Sequence, residues 1–457
     1  MASELVAKFG KQSVGISRVL LLLLLALLMP VSVAEEIQTN SGETKQKLPD
    51  PLTLEYLLDL DVNDHPTLQR ASAAIELQNA NKEFAVSDYG FTANLLLEAR
   101  AIEPNRIAFD QDQNDSQIHL YLNKRLYDFG KTSAAEDAAV ADVEGSELLY
   151  VNAYTQHRIT IMSRFFAVLL ADLTYDRDNE AMSIGYVRFD RGRHRNNLGQ
   201  MSDVELLKLE NRFQLLRRAY YKSQAERRNS RSRLANIVNR PGELVSNLVI
   251  PELQVPLGNI PELEELQKNA IANNPVIKAL RLKIAAAEDR VKAARSERNP
   301  KLDGRIRVSE YARESGSYDE WRVGLVLDVP IFASDSVKAN VSKRNAELLD
   351  MRARLRDVEM QVNQQVLEAW QMLESLKVAR EQTVVQSDYR ELYLDQSRTL
   401  YEMEVQSDLG DSMVQITEAK LQKAEVEYQL ALEWAKLQAL MGQQVNVLQE
   451  QKNDAAK

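Results

Sequence analysis

The sequence predicts a mainly α-helical protein with a small β part, built from a helix–strand–strand–long helix–helix unit that occurs twice. The first observation is the range 333–406, which contains no proline or glycine and is rich in strong helix formers. One helix over this range would be about 110 Å long. A helix of that length indicates a coiled coil, a helical repeat or the wall of a tube.

The second observation is a set of local similarities between the two halves of the chain at a nearly constant offset. Each half contains a proline at the first position of a predicted helix, where its missing N–H costs nothing. The similar pairs are Asn63–Pro66 with Asn273–Pro275, Leu122–Tyr127 with Leu327–Phe332, and Ser202–Glu210 with Gly410–Glu418. Each match is weak alone, but together they predict an internal duplication.

The third observation is period-2 alternation in four short segments. In the first, Leu95 and Leu97 share one face while Asn94 and Glu98 share the other. Apolar and polar faces over about ten residues are typical of transmembrane β-strands. The alternative is a half-buried sheet of a soluble protein. The charged polar faces and the export signal described below favour membrane strands. Because an open sheet edge in lipid leaves backbone groups unpaired, the sequence predicts an oligomer that closes a barrel.

The N-terminal segment has the pattern of a secretory signal peptide. Basic residues precede the apolar run 19–29, and small residues follow at Ser32 and Ala34. We therefore predict a signal peptide over residues 1–34, cleaved after Ala34. The alternative is a membrane anchor helix, for which the apolar run is short.

Composition excludes several classes of function. A net charge of −10 argues against nucleic-acid binding. The sequence contains no cysteine, which excludes disulfides, zinc–thiolate sites and a lipidated cysteine. The four histidines lack ligand spacing, so no metal site and no cofactor is predicted; they are His65, His119, His157 and His194.

The predicted elements follow one another in a simple order. They are the signal peptide 1–34, a leader with a short helix 35–65, a first repeat 66–239 (strands about 91–100 and 117–126, long helix 131–190, return helix 202–239), a connector 240–274, a second repeat 275–442 (strands about 301–309 and 321–329, long helix 333–406, return helix 408–441) and a polar tail 443–457. In each repeat the two shorter helices, placed end to end, approach the length of the long one, which predicts a tube wall of even thickness.

These features resemble the TolC family of outer-membrane efflux and secretion channels. Beyond the duplicated element order, the resemblance rests on 126–132 (Leu-Tyr-Asp-Phe-Gly-Lys-Thr), 198–204 and the closing segment 428–442. It implies a trimeric α-helical barrel in the periplasm, continuous with a 12-stranded transmembrane β-barrel in the outer membrane. It also implies a periplasmic adaptor (membrane fusion protein) and an inner-membrane pump of RND or ABC type as partners. One departure is Ala333-Ser-Asp335, which stands where the first repeat has Asp128-Phe-Gly130.

The resemblance also suggests candidate pore residues at the end of the helices away from the barrel. Aligned back from Gly442, Asp408 and Asp411 fall where the family has two aspartates at its tunnel constriction. Carboxylate rings repeated by symmetry favour cations and repel anions. The alternative is that both residues cap the return helix, where carboxylates are favoured.

A second hypothesis concerns a latch between neighbouring hairpins. One helix-to-helix turn is basic and the other acidic, so Arg193 or Arg195 could pair with Glu404 or Asp408. The alternative is a solvated charged turn, because exposed ion pairs contribute little.

The sequence thus predicts a passive, non-enzymatic exit duct of a tripartite efflux pump or a type I secretion system. The alternative function is a periplasmic coiled-coil adaptor or scaffold, which needs one helical hairpin and no lipid-facing strands. A hydrolase is disfavoured, because Gly410-Asp-Ser-Met413 lacks an Asp-x-x-His companion. The cargo stays open between small toxic compounds, a metal ion and a secreted protein.

Overall fold

The computed structural model describes residues 47–60, 62–243, 245–256, 258, 260–313, 319–331, 335–403 and 409–448. The chain divides into two units, Met1–Leu48 and Pro49–Lys457. Only Lys47 and Leu48 of the first unit are described, so the predicted signal peptide lies outside the described residues. All helices and strands below belong to the second unit.

Eight helices and four strands are assigned within the described residues, in the order that the sequence predicts. They are α1 (Leu54–Asp59), α2 (Pro66–Ser87), β1 (Phe91–Glu98), β2 (Gln117–Tyr127), α3 (Lys131–Asn197), α4 (Asp203–Ile237), α5 (Leu263–Asn273), α6 (Pro275–Arg295), β3 (Lys301–Tyr311), β4 (Trp321–Asp328), α7 (Ser336–Glu402) and α8 (Gly410–Leu440). A short 3₁₀ turn, Ser296–Arg298, follows α6.

The two long helices, α3 and α7, each contain 67 residues and are therefore about 100 Å long. Helix α3 continues past the predicted end at residue 190 to Asn197, so Arg193 and Arg195 lie in its last turns rather than in a loop. The reason is that charged residues extend a helix readily, whereas Gly199, with a φ of 72°, ends it. Helix α7 begins at Ser336 rather than 333, and α8 begins at Gly410 rather than 408.

Helices α2, α4 and α6 are capped at their first turns by local hydrogen bonds. In α2 the His65 Nδ1 accepts the Thr67 N–H at 3.3 Å, and in α6 the Asn274 side chain accepts the Val276 N–H at 2.9 Å. Both helices have proline at their first position. Helix α4 begins with a capping box between Ser202 and Glu205. The two halves therefore begin their repeats with the same chemistry.

The helices pack side by side, four abreast. Helix α3 packs against α2 and α6 along the part that follows the strands, and against α4 and α8 along the rest. Helix α7 packs against α5, α6 and α8. The sheet of helices therefore has α2 and α4 along one edge and α7 along the other.

Two clusters of buried side chains hold the wall together. In the second repeat an apolar core joins α5, α6, α7 and α8 through Leu266, Ile277, Val366, Leu373, Leu430 and Leu437. Burial of each such side chain contributes about 1.5–3 kcal/mol. Between the repeats, Phe166 of α3 stacks on Tyr428 of α8 with ring centroids 4.7 Å apart. The two halves thus share one packed wall.

The four strands form one antiparallel sheet in the order β1-β2-β3-β4. The central pair joins the two repeats, with Leu120 opposite Val308 and Tyr121 opposite Arg307. The loops continue this connection, since the Arg313 guanidinium donates to the Asp110 carbonyl oxygen at 2.8 Å. Strands β1 and β4 are the edges of the sheet.

Candidate functional site

The sheet has one exposed apolar face. Its side chains are between 36% and 72% exposed, which is unusual for large aliphatic residues of a sheet; they include Leu95, Leu97, Ile306, Val308, Trp321, Val323, Leu325 and Leu327. A contiguous apolar surface of this kind marks contact with lipid or with another protein. The strands contain 8 to 11 residues, the length that crosses a bilayer when tilted. The geometry supports the membrane interpretation of the alternating pattern.

The opposite face of the sheet is polar and carries four arginines with two aspartates. The Asp303 carboxylate lies 3.3 Å from the Arg125 Nε and 3.5 Å from an Arg305 terminal nitrogen. The Asp319 carboxylate accepts from the Arg322 Nε at 2.8 Å and lies 3.8 Å from an Arg307 terminal nitrogen. We name Arg125, Arg305, Arg307 and Arg322, together with these two aspartates, the arginine cluster.

The turn from β2 into α3 is fixed by the side chain of Asp128. Its carboxylate accepts the Thr132 N–H at 2.9 Å and the Tyr89 hydroxyl at 2.8 Å. Phe129 and Gly130 have φ angles of 55° and 90°, and the second of these favours glycine. The strand therefore passes directly into the long helix, while residues 333 and 334 of the matching turn in the second repeat lie outside the described residues.

Aromatic side chains lie near both ends of the strands. The Tyr127 and Phe129 rings lie 4.7 Å apart at the helical end, where Phe91 is also exposed. Trp321 is exposed at the opposite end of the sheet. Aromatic residues at both boundaries of an apolar band are typical of strands in an outer membrane.

At the far end of the wall, the α3–α4 hairpin is closely packed. A Cβ atom added at Gly192 would lie 2.5 Å from the Leu209 Cδ1 atom, so the glycine allows the two helices to approach. The Asn196 side-chain amide donates to the Met201 carbonyl oxygen at 3.0 Å and to Asp203 at 2.9 Å. These contacts hold the turn without using the basic residues.

Ion pairs join the first hairpin to the second between α3 and α8. The Arg188 guanidinium lies 2.9 Å from the Asp411 carboxylate. Further along, the Arg177 guanidinium lies 2.9 Å from Glu418 and 2.7 Å from Asp178. We name these two sets the hairpin junction. Burial alone would lower the pKa of Arg177, but its hydrogen bonds to the two carboxylates raise that pKa above its ordinary value.

The predicted site residues are placed as follows. Asp411 lies in the first turn of α8 and belongs to the hairpin junction. Arg193 pairs with Asp190 on its own helix at 2.6 Å, and the Arg195 carbonyl oxygen accepts the Gln200 N–H at 2.9 Å. Glu404 and Asp408 lie outside the described residues. The aspartate ring and the latch between hairpins therefore stay predictions.

Sequence reasoning missed Arg177, Arg188 and Glu418. The signal was present in part, because Arg177 and Arg188 are about three helical turns apart and so share a face of α3. Asp411 and Glu418 are about two turns apart on α8. What the sequence did not show was that these two faces meet.

Two histidines lie against each other near the middle of α3. The rings of His65 and His157 have centroids 4.5 Å apart. Burial, with a smaller contribution from the charge of His65, lowers the pKa of His157 to about 4. Among the described residues, no group of three or more His, Cys, Asp or Glu could hold a metal ion. Ser412 of the Gly-Asp-Ser segment is buried and hydrogen-bonded to Ser397 at 2.9 Å.

No helix in the described part of the chain is both long and apolar enough to span a membrane. The architecture is instead that of a subunit whose amphipathic sheet continues into a wall of long helices. This is the class of outer-membrane channel subunits with a helical tunnel.

Comparison with known proteins agrees with this class. Residues 266–443 match the family model described as outer membrane efflux protein. The resemblance predicted from the sequence is confirmed, and so is the predicted location in the outer membrane. A search of curated protein sequences finds no match.

Several solved structures share the fold at low sequence identity. The CmeC outer membrane channel of Campylobacter jejuni is 14% identical with a TM-score of 0.72, covering 91% of this chain and 92% of that one. VceC of Vibrio cholerae is 15% identical with a TM-score of 0.67, covering 86% and 97%. The MtrE channel of Neisseria gonorrhoeae, in its open state, is 18% identical with a TM-score of 0.60, covering 85% and 89%. These similarities establish the fold.

Proposed function

We propose that the chain is the outer-membrane exit duct of a tripartite efflux pump or a type I secretion system. Three copies form a passive channel with a 12-stranded barrel in the membrane and a helical tunnel through the periplasm. The single observation that carries the proposal is the four-stranded sheet with one exposed apolar face and one charged face, continuous with helices of 67 residues. A soluble adaptor needs no sheet with an exposed apolar face.

The sheet itself supports assembly into a closed ring. Strands β1 and β4 are edges in the single chain, and an edge in lipid leaves backbone N–H and C=O groups without partners. Pairing β4 of one copy with β1 of the next satisfies these groups. Three sheets of four strands then make an even-numbered barrel, as bacterial outer-membrane barrels have.

The two edges of the helical wall support the same assembly. Along α7, Val378, Val385 and Leu392 recur at seven-residue intervals and are 66%, 68% and 71% exposed. A heptad stripe of this kind is typical of a coiled-coil seam. A second stripe on α7 is acidic: it runs through Glu374, Glu381, Asp388, Asp395 and Glu402.

Helix α4, on the other edge, has the complementary character. Val204, Leu207 and Leu215 are more than half exposed. Exposed cations accompany them, at Lys208, Arg212, Arg217, Arg218, Lys222, Arg228 and Arg233. We propose that α4 of one copy packs against α7 of the next, because apolar stripes and opposite charges then meet.

The gate of the proposed channel lies at the end of the helical wall away from the sheet. The hairpin junction holds α3 to α8 within one copy, and the predicted ring of Asp408 and Asp411 would surround the tunnel there. Opening then requires the two hairpins to separate at Arg188–Asp411. A periplasmic adaptor and an inner-membrane pump would supply the energy, since the duct itself is passive.

A pair of neighbouring substitutions tests the membrane assignment. Leu325→Arg places a charge on the apolar face near the middle of β4, at a cost of about 2–4 kcal/mol for each chain. Val326→Arg, one residue on, places the same charge on the polar face, opposite Asp303. We expect the first variant to lose outer-membrane fractionation and heat-sensitive trimer migration, and the second to keep both. Equal behaviour, or a wild-type protein that is monomeric without detergent, would overturn the proposal.

A further inference from the structure

The arginine cluster contains more hydrogen-bond donors than its own carboxylates can use. A guanidinium has five N–H donors and a carboxylate about four acceptor positions, so the cluster offers about 20 donors to about 8 acceptors. The count of charges points the same way, with four arginines against two aspartates. Each aspartate is shared between two guanidiniums. Two of the four positive charges are therefore not balanced within the cluster.

The placement of the arginines is unfavourable for the sheet alone. Arg307 of β3 stands directly opposite Arg322 of β4 in the register. Like charges at directly opposed positions destabilise a sheet. The Arg307 Nε atom is buried and has no hydrogen-bond partner among the described residues. The Asp319 carboxylate lies against both guanidiniums and offsets one of the two charges. A bound anion would offset the second charge and supply the acceptor that the Arg307 Nε lacks.

The cluster borders an open cleft large enough for a small solute. The cleft has a volume of about 720 Å³ and is lined by all four arginines. The lining also contains neutral donors, including Thr92, Tyr121 and Asn123, and the acidic residue Asp88 at the helical end. Arg305 and Arg307 are two residues apart on one strand, and therefore about 7 Å apart along it. Together with Arg125 on β2, they spread the guanidinium groups along the strands instead of gathering them at one position.

We propose that the arginine cluster is a binding site for small multivalent oxyanions, such as phosphate-bearing or polycarboxylate compounds, in the barrel part of the duct. The inference rests on the proposed function in one respect, since it requires the polar face of the sheet to line the lumen. The planar fork of a guanidinium matches phosphate and carboxylate oxygens in bidentate geometry. The barrel section therefore prefers anions over cations.

The test uses the full-length trimer in planar lipid bilayers. The reversal potential in a KCl gradient gives the chloride-to-potassium permeability ratio, and pyrophosphate added at millimolar concentration reports block by a multivalent anion. We expect pyrophosphate to block the wild-type channel, whose overall permeability ratio also reflects the aspartates proposed for the far end of the tunnel. Arg307→Gln and Arg322→Gln should each lower the permeability ratio about twofold or more and weaken the block, and the double variant should do so further.

Lys124→Gln is the matched control. Lys124 belongs to the same sheet, is exposed and borders the cleft, but alternation along β2 places its side chain on the face opposite to Arg125, where Lys124 pairs with Phe91. Removing this charge should leave selectivity and block unchanged. An equal effect of Lys124→Gln would show that net charge, not the cluster, decides selectivity, and would overturn the inference.

The remaining outcomes separate this inference from the proposed function. Conducting trimers that pyrophosphate does not block, or arginine variants with unaltered selectivity and block, overturn the anion site and leave the duct intact. A protein that forms no conducting trimer overturns both. Where an arginine variant fails to assemble, the response of the wild-type channel to pyrophosphate decides the matter without it.

Discussion

The arginine cluster and the hairpin junction use the same residue types in opposite proportions. In the cluster one carboxylate serves two guanidiniums, as Asp303 does for Arg125 and Arg305. In the junction one guanidinium serves two carboxylates, as Arg177 does for Asp178 and Glu418. The proportions decide what each region can do. The cluster has donors to spare for a solute, whereas the junction uses the donors of Arg177 to hold two helices together.

The carboxylates of the arginine cluster and of the hairpin junction also differ in their exposure to solvent. The Asp303 side chain is 17% exposed, and that of Asp411 is 76% exposed. A partly buried carboxylate between two cations is strongly coupled to both, while an exposed ion pair is weakly bound and easily exchanged with water. The first arrangement suits a permanent feature of a wall, and the second suits a contact that must break when a gate opens.

The largest expected difference between the regions is in stability. Asp303→Asn leaves Arg125 and Arg305 facing each other without their shared carboxylate, and we expect a loss of about 1–3 kcal/mol for each chain. Glu418→Gln should cost less than about 1 kcal/mol, because the pair is more exposed and Arg177 keeps Asp178. The temperature at which trimers dissociate on a gel measures both. Equal shifts would remove the distinction drawn between the two regions.

Ionic strength provides the second comparison. Raising the salt concentration from about 0.1 M to 1 M shortens the Debye length from about 10 Å to 3 Å. The proposed anion preference of the barrel acts on solutes across water. At high salt the chloride-to-potassium permeability ratio should therefore move toward the ratio of the free ion mobilities. The hairpin junction consists of direct contacts near 3 Å, so the closed state should change less. Reversal potential and open probability, recorded on the same channels, provide the readouts; selectivity that is insensitive to salt would contradict the expectation.

The third comparison concerns the hairpin junction alone. Arg188→Ala and Asp411→Ala should each raise the open probability, by up to about fivefold, because an exposed pair contributes about 0.2–1 kcal/mol. Since both substitutions break one contact, the double variant should open no more than either single variant. Arg191→Ala is the control, because Arg191 is an exposed cation on the same part of α3 and belongs to neither ion pair of the hairpin junction. Additive effects of Arg188→Ala and Asp411→Ala would show that they act separately.

The fold was largely predictable because its signals are local. Long runs without proline or glycine identify α3 and α7, and alternation identifies the four strands. Boundaries at the far end were less predictable. A run of charged residues resembles a turn, yet α3 continues through Arg193 and Arg195 until Gly199 allows it to end. Helix ends depend on a single residue with positive φ, whereas helix interiors depend on many residues.

The candidate sites were less predictable because they depend on which faces meet. Alternation places Arg305 and Arg307 on the polar face, but only the register shows Arg307 opposite Arg322. Likewise, Asp411 was found through its position before Gly442, while its partner Arg188 lies more than 200 residues earlier in the chain. No local pattern connects residues so far apart. The sequence therefore indicates which residues carry charge, and the packing decides whether that charge is neutralised.

The last expected effect concerns pH and lies between the two regions, at the pair formed by His65 and His157. Burial holds the pKa of His157 at about 4, below its ordinary value of 6.5. Between these values the unfolded chain binds a proton that the folded chain excludes, so stability should fall as the pH is lowered from about 6.5 to about 4 and change no further below that. Denaturation of the trimer in urea at several pH values measures this dependence.

Two variants assign that pH dependence to the histidine pair rather than to either charged region. His157→Phe keeps an aromatic ring against His65 and removes the buried titrating group, so the slope between pH 6.5 and 4 should become shallower. His65→Asn retains a residue suited to cap α2. It removes the neighbouring charge that helps to depress the pKa of His157, so the decline should begin at the same pH and end at a higher one. If both variants keep the wild-type slope, groups other than the histidine pair carry the acid sensitivity.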